Sequence, residues 1–291
     1  MTGPIAKHED IKYTEYELIR VFNHTYESTV SGRHYFLNHW HEELELTYNF
    51  EGGTVFIIDG EQIQGEAGRL IAINPESIHS IVPDMNMSRK GVLGVTILLH
   101  PKFMEQNFPR YKEFYFTNEK PQISAEMREI IRKISAYASR EEVGRNVYPL
   151  YVKGLILQLL FHMEEEGMLR QMEDADIKRV KGTGYLKEIL SYVGQNYRGP
   201  LSQKEVAEQF HFTQQYFSRY FKKYTGQTFT EYVMRYRVQQ ARKELLESDK
   251  RIVDIALENG FSEERRFIAA FKRFYQETPL QYRKKYAHLR F

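Results

Sequence analysis

Cysteine is absent from the 291-residue chain, which excludes a disulfide framework and thiolate chemistry. Long apolar runs are missing as well. The longest, GVLGVTILL and GLILQLLF, fall well short of the roughly 18 residues that a membrane-spanning helix needs. The opening stretch MTGPIAKHEDIKY lacks the apolar core of a secretory signal. No nucleophile elbow, Walker loop, dinucleotide fingerprint or zinc-protease motif occurs, and Gly182-Thr-Gly184 is a lone linker feature. The expectation is a cytoplasmic protein with no membrane partner and no catalytic residues.

An excess of either charge sign is also lacking overall, since the net charge is only +2. That balance hides an asymmetry. Residues 183–291 hold 20 Lys+Arg against 12 Asp+Glu, whereas the remainder holds 21 against 27. A basic rear half behind an acidic front half points to contact between the rear and a polyanion.

The first hundred residues read as short strands separated by turns. LELTYNF is apolar, aromatic and β-branched, and TVFIIDGEQIQ carries Asp59-Gly60, a hairpin signal. GRLIAINPESIHSIVP and GVLGVTILL supply further strands, so a barrel or sandwich is expected. From about Ser124 the period changes. Met127, Ile130, Ile131 and Ile134 recur at helical spacing, as do Leu155, Ile156, Leu159, Leu160 and Met163. Two amphipathic helices follow, packing on their own domain or against a second subunit. EEEGMLRQMEDADIKRVKGTG then reads as a polar linker.

The rear half is helical and contains a repeat. Ala207, Phe212 and Thr213 match Ala256, Phe261 and Ser262 at a spacing of 49. Phe217, Phe221-Lys222, Thr228 and Tyr232 match Phe267, Phe271-Lys272, Thr278 and Tyr282 at 50. Each copy reads as a short helix, a tight turn and a second helix capped by Thr213 or Ser262, which is a helix-turn-helix. Ser202/Glu205 and Thr228/Glu231 have capping-box spacing, and Thr278-Pro279 opens a last basic helix.

On the second helix of the first copy, Gln214, Gln215, Ser218, Arg219, Lys222 and Lys223 are the candidate DNA contacts. Gln suits adenine, Arg suits guanine, and the lysines suit phosphates. In the second copy the candidates are Glu264, Arg265, Arg266, Lys272 and Arg273.

The stretches EVAEQFHFTQQYFSRYFKKYTGQTFTEYV, RVQQARKELLES and IVDIALENGFSEERRFIAAFKRFYQETPLQYR resemble the AraC/XylS family of bacterial transcription regulators. The front half, through HWHEELELTYNFEGG and GEAGRLIAINPESIHSI, is similar to the cupin-like sensor domain of that family. The resemblance implies an α+β chain of two domains. Residues 1–115 form a cupin-like β-barrel that senses ligand, 116–170 a helical dimerisation segment, 171–183 a linker, and 184–291 an all-α DNA-binding domain with two helix-turn-helix motifs. It implies a double-stranded DNA operator, a homodimer, a small-molecule effector such as a sugar, and RNA polymerase as partner of an activator.

Arg33, His39, His41, Glu43, Glu45 and His79 are the candidate ligand-binding residues. Strand alternation from His39 to Glu45 would place the odd-numbered polar residues on one face, as a pocket wall requires. The spacing His39-x-His41-x₃-Glu45, with Gly52 and His79, also resembles the metal motif of catalytic cupins, although Ser77 stands where those have glycine. The reading assigns no metal and no cofactor. A metal-binding cupin enzyme fused to a DNA-binding domain, and a regulator whose front half only dimerises, stay as alternatives.

Overall fold

The structure is a computed structural model, described here over residues 18–25, 37–82, 91–139 and 148–286. The described residues divide into two compact units, the first holding 18–25 and 40–182 and the second 37–39 and 183–286.

The first unit is built on strands β1 (Ile19–Thr25), β2 (Leu44–Asn49), β3 (Thr54–Ile58), β4 (Glu61–Gly65), β5 (Leu70–Ile73), β6 (His79–Val82) and β7 (Val92–Leu99). They form a four-stranded sheet in the order β1-β7-β2-β5 and a three-stranded sheet in the order β4-β3-β6, all antiparallel. Among the described residues the two sheets are separate rather than closed into the expected barrel, an arrangement compatible with a cupin-like β-sandwich. The β3–β4 connection is the expected Asp-Gly hairpin, with positive φ at both Asp59 (48°) and Gly60 (88°).

Alternation along β2 separates two environments. Leu44, Leu46 and Tyr48 join a large core with Met127, Ile131 and Ile134 of helix α2 (Ala125–Ala138) and Ile156, Leu159 and Met163 of α3 (Tyr148–Glu165). Those are the helical stripes expected from the sequence. On β5, Leu70 and Ala72 belong to the same core, whereas Ile71 and Ile73 pack with Phe56 and Ile58 of the other sheet. β2 is therefore buried along its whole length, Glu45, Thr47 and Asn49 included. A short α1 (Pro101–Asn107) precedes α2, and β8 (Phe114–Phe116) pairs with β9 (Leu169–Gln171) beyond α3.

Within the stretch read as a linker, residues 174–182 are helical (α4, Asp174–Gly182). Asp176 is buried and receives two hydrogen bonds from Arg170, at 2.6 and 2.9 Å, while Arg179 meets Glu61 at 2.7 Å.

The second unit is helical: α5 (Gly184–Asn196), α6 (Gln203–Gln209), α7 (Gln214–Thr225), α8 (Phe229–Glu247), α9 (Ile252–Glu258), α10 (Glu264–Tyr275) and α11 (Pro279–Tyr286). The sequence repeat extends to the backbone. The α6–α7 turn has His211 at φ 58° where the α9–α10 turn has Gly260 at φ 83°. Helices α7 and α10 both end in a left-handed residue, Gly226 and Gln276. Ala207, Phe217, Phe221 and Tyr232 are buried, and so are their counterparts Ala256, Phe267, Phe271 and Tyr282. Thr228 and Glu231 form the full capping box ahead of α8.

One expected cap is displaced. Thr213 accepts from the Tyr216 amide, but the N-cap of α10 is Glu263 rather than Ser262, with no side-chain cap bond. The residue inserted between the repeats lies at this junction, so the cap follows the spacing of 50 rather than 49.

Candidate nucleic-acid interface and buried polar cluster

Helix α7 presents Gln214, Gln215, Arg219, Lys222 and Lys223 to solvent, with Ser218 half-buried, because Phe217 and Phe221 take the opposite face into the core. Arg219 has no hydrogen bond or ion pair with any other described residue, which leaves all its donors for an external partner. Tyr216 is also exposed and stacks on Tyr220 at 6.0 Å. Sequence reasoning passed over Tyr216. Its position one residue before the inward Phe217 was the available signal.

On α10, Arg265, Arg266, Lys272 and Arg273 are exposed and Glu264 is half-buried. Here two cations are partly engaged: Arg266 pairs with Glu263 at 3.0 Å, and Arg273 lies 3.8 Å from Glu231. Exposed pairs of this kind are worth at most about 1 kcal/mol and exchange readily for phosphate. Between the two motifs runs a cavity of about 1010 Å³ lined by Arg198, Thr230, Arg237, Phe261, Arg266 and Arg273, among others. Arg237 is committed there to structure, donating to the carbonyls of Tyr197 and Gly199, each at 2.7 Å.

Of the expected ligand-binding residues, Arg33 lies outside the described residues. The other five are buried, with exposures between 0 and 7%. The continuous strand expected from His39 to Glu45 is not formed, because β2 begins at Leu44 and the chain bends at Glu42 and Glu43. His41 reaches Glu45 through that bend, with His41 Nε2 3.1 Å from Glu45 Oε2 and Nδ1 3.5 Å from Glu43. His79, at the start of β6, brings its Nε2 to 3.4 Å from the same Glu45 oxygen. The ligand-capable nitrogens of His41 and His79 lie within 4.8 Å of each other.

A hydrogen-bonded chain extends from this cluster. Thr47 donates to Glu45 Oε1 at 2.8 Å, shares a 2.6 Å bond with Thr96, and Thr96 meets His24 Nε2 at 2.7 Å. Thr96 is the register partner of Thr47 across β2–β7, a pairing that local sequence cannot show. Burial alone would raise the Glu45 carboxyl, but the contacts from His41 and His79 outweigh it and hold Glu45 well below the usual carboxylate range. Burial pushes Glu43 the other way, upward.

A separate cleft of about 290 Å³ in the same unit is lined by Tyr115, Thr117, Asn118, Arg170 and Arg179, among others, with none of the histidines. Among the described residues no helix is long and apolar enough to cross a membrane.

A family model described as an AraC-like ligand binding domain matches residues 25–160, and one described as a helix-turn-helix domain matches 206–285. The chain belongs to the AraC/XylS family. Its relatives include the uncharacterised HTH-type transcriptional regulator YdeC of Bacillus subtilis, 21% identical over 93% of this chain and 94% of that protein. An uncharacterised HTH-type transcriptional regulator of Staphylococcus aureus is 28% identical over 52% of this chain, which spans only 20% of that longer protein. Among solved structures, ToxT of Vibrio cholerae is similar at a TM-score of 0.48, with 11% identity over 91% of this chain and 96% of that one. This AraC/XylS member is thus a DNA-binding transcription regulator with a ligand-binding domain, and not an enzyme.

Proposed function

We propose that the chain is a cytoplasmic, homodimeric activator whose small-molecule effector acts through the first unit and changes how the two helix-turn-helix units engage an operator. The observation that carries the DNA-reading part is the duplicated exposed face. Gln214, Gln215 and Arg219 on α7 and the cations of α10 stand on matching helices of two copies, joined by the single helix α8. Two such helices suit successive major grooves, roughly 34 Å apart.

The homodimer is supported by α3, which is apolar on more than its core side. Leu150, Leu157 and Phe161 stay 70, 36 and 56% exposed while Ile156, Leu159 and Met163 are buried. An exposed stripe of that kind is suited to a second copy of the same helix. For the effector, a sugar is the reading carried by the family resemblance, with the buried polar cluster supplying donors and acceptors. Regulation would then be a population shift, the effector favouring one state of the sensor over another. Operator affinity that stays unchanged across a panel of sugars and sugar acids would remove that class.

The DNA-reading part is tested by substitution at α7. Arg219→Ala is expected to weaken binding to the selected operator by about 1–3 kcal/mol, and Lys222→Ala to weaken all sequences alike and reduce the salt dependence by about one phosphate contact. A folded Arg219→Ala protein with full operator affinity would take that residue out of the interface.

A further inference from the structure

The buried cluster of the first unit has the arrangement of a metal site, and we infer that His41, Glu45 and His79 bind one divalent transition-metal ion. The sequence reading assigned no metal here; the geometry argues otherwise.

One ring is anchored from outside the cluster. His79 Nδ1 lies 3.0 Å from the Ser77 carbonyl. A carbonyl oxygen only accepts, so Nδ1 carries a hydrogen there and Nε2 is the nitrogen turned toward Glu45. Anchoring one ring nitrogen on a carbonyl or carboxylate is how proteins orient metal-bound histidines. His41 is held in the same sense, with Nδ1 toward Glu43 and Nε2 toward Glu45. Glu45 is oriented too: Oε1 accepts from Thr47, and Oε2 is the oxygen that both His41 and His79 approach.

The separations are those of a coordination sphere. Ligands about 2.1 Å from one ion stand about 3.0 Å apart along an octahedral edge and about 3.4 Å along a tetrahedral one. Glu45 Oε2 is 3.1 Å from His41 Nε2 and 3.4 Å from His79 Nε2. The ring nitrogens of His41 and His79, within 4.8 Å of each other, would draw in by up to about 1.4 Å to stand on a tetrahedral edge. A single cation set against Glu45 Oε2 would meet both of them. Two imidazoles and one carboxylate suit zinc, cobalt, nickel, iron or manganese in the divalent state rather than magnesium or calcium.

The test is a cobalt(II) titration of the tag-free, full-length chain after chelator treatment, followed by visible ligand-field absorption. The expected result is one cobalt per chain, with bands that are lost, or an affinity at least about 100-fold weaker, in His79→Gln and in Glu45→Gln. X-ray absorption of the cobalt-loaded wild-type chain needs no variant, and is expected to show at least two imidazoles on the ion. Absence of stoichiometric cobalt binding by the folded wild-type chain, fewer than two imidazoles on the bound ion, or bands unchanged in both folded variants would each overturn the site. Sequence-specific operator binding by the same chain, measured in parallel, tests the regulator reading by its own readout, so loss of the metal site and loss of the regulator reading are distinguishable.

Discussion

Replacing Gly260 by Ala is expected to unfold the second helix-turn-helix motif more readily than any conservative change at its surface. Gly260 has φ 83°, and a Cβ there would sit 2.6 Å from the Tyr197 carbonyl oxygen and 2.9 Å from that of Arg198. The left-handed conformation costs an L-residue about 1–2 kcal/mol. The overlap is with backbone, and the Tyr197 oxygen it displaces also accepts from the Arg237 guanidinium at 2.7 Å, a charged hydrogen bond worth about 1.5–3 kcal/mol. Reduced freedom of the unfolded chain returns about 0.4–1 kcal/mol. The net expectation is a loss of about 2–4 kcal/mol. Urea unfolding followed by helical circular dichroism measures it, and Trp40, the one tryptophan of the chain and a residue of the first unit, reports that unit separately. His211→Gly at the equivalent turn is the companion variant, and should cost nothing or stabilise by up to about 1 kcal/mol, because His211 already holds φ 58°. A Gly260→Ala protein within about 0.5 kcal/mol of wild type would refute the reasoning.

Two further outcomes are expected. The Asp176 carboxyl is held below its ordinary range chiefly by hydrogen bonds from Arg170; its stabilising contribution is therefore complete above the ordinary carboxylate pKa and is lost as pH falls through that range toward the lowered native value. Asp176→Asn should accordingly lower the melting midpoint at neutral pH and progressively less as pH falls below the ordinary Asp range (about 3.9); an equal loss throughout would mean the charge is not responsible. Leu150→Asp combined with Phe161→Asp should turn a dimer into a monomer in sedimentation without loss of helical signal, whereas unchanged association would move the interface off α3.

Much of the second unit was legible in the sequence because its constraints are local or periodic. Phe217 and Phe267, Tyr232 and Tyr282, the Thr228 cap and Gly260 all announce themselves through spacing and residue type. The one misplaced cap, Ser262 for Glu263, came from a single inserted residue whose position within the turn had no local marker. In the first unit the Asp59-Gly60 hairpin and the stripes of α2 and α3 were equally plain. The histidine cluster was legible only as a set of names. What brings His79 to Glu45 is the packing of two sheets, and what ties Thr47 to Thr96 is the β2–β7 register, both of which join residues far apart in the chain. Strand alternation also misjudged the path from His41 to Glu45, which bends at Glu42 and Glu43 to bring His41 back onto Glu45.

The most direct measurement is a footprint of the purified chain on the DNA fragment it selects from random sequence. Two protected major-groove segments about 10 base pairs apart on one face of the duplex, with the protection on one segment weakened by Arg219→Ala and on the other by Arg265→Ala, is the result expected. Protection of a single segment, or a chain that selects no sequence at all, would contradict the tandem reading of the operator.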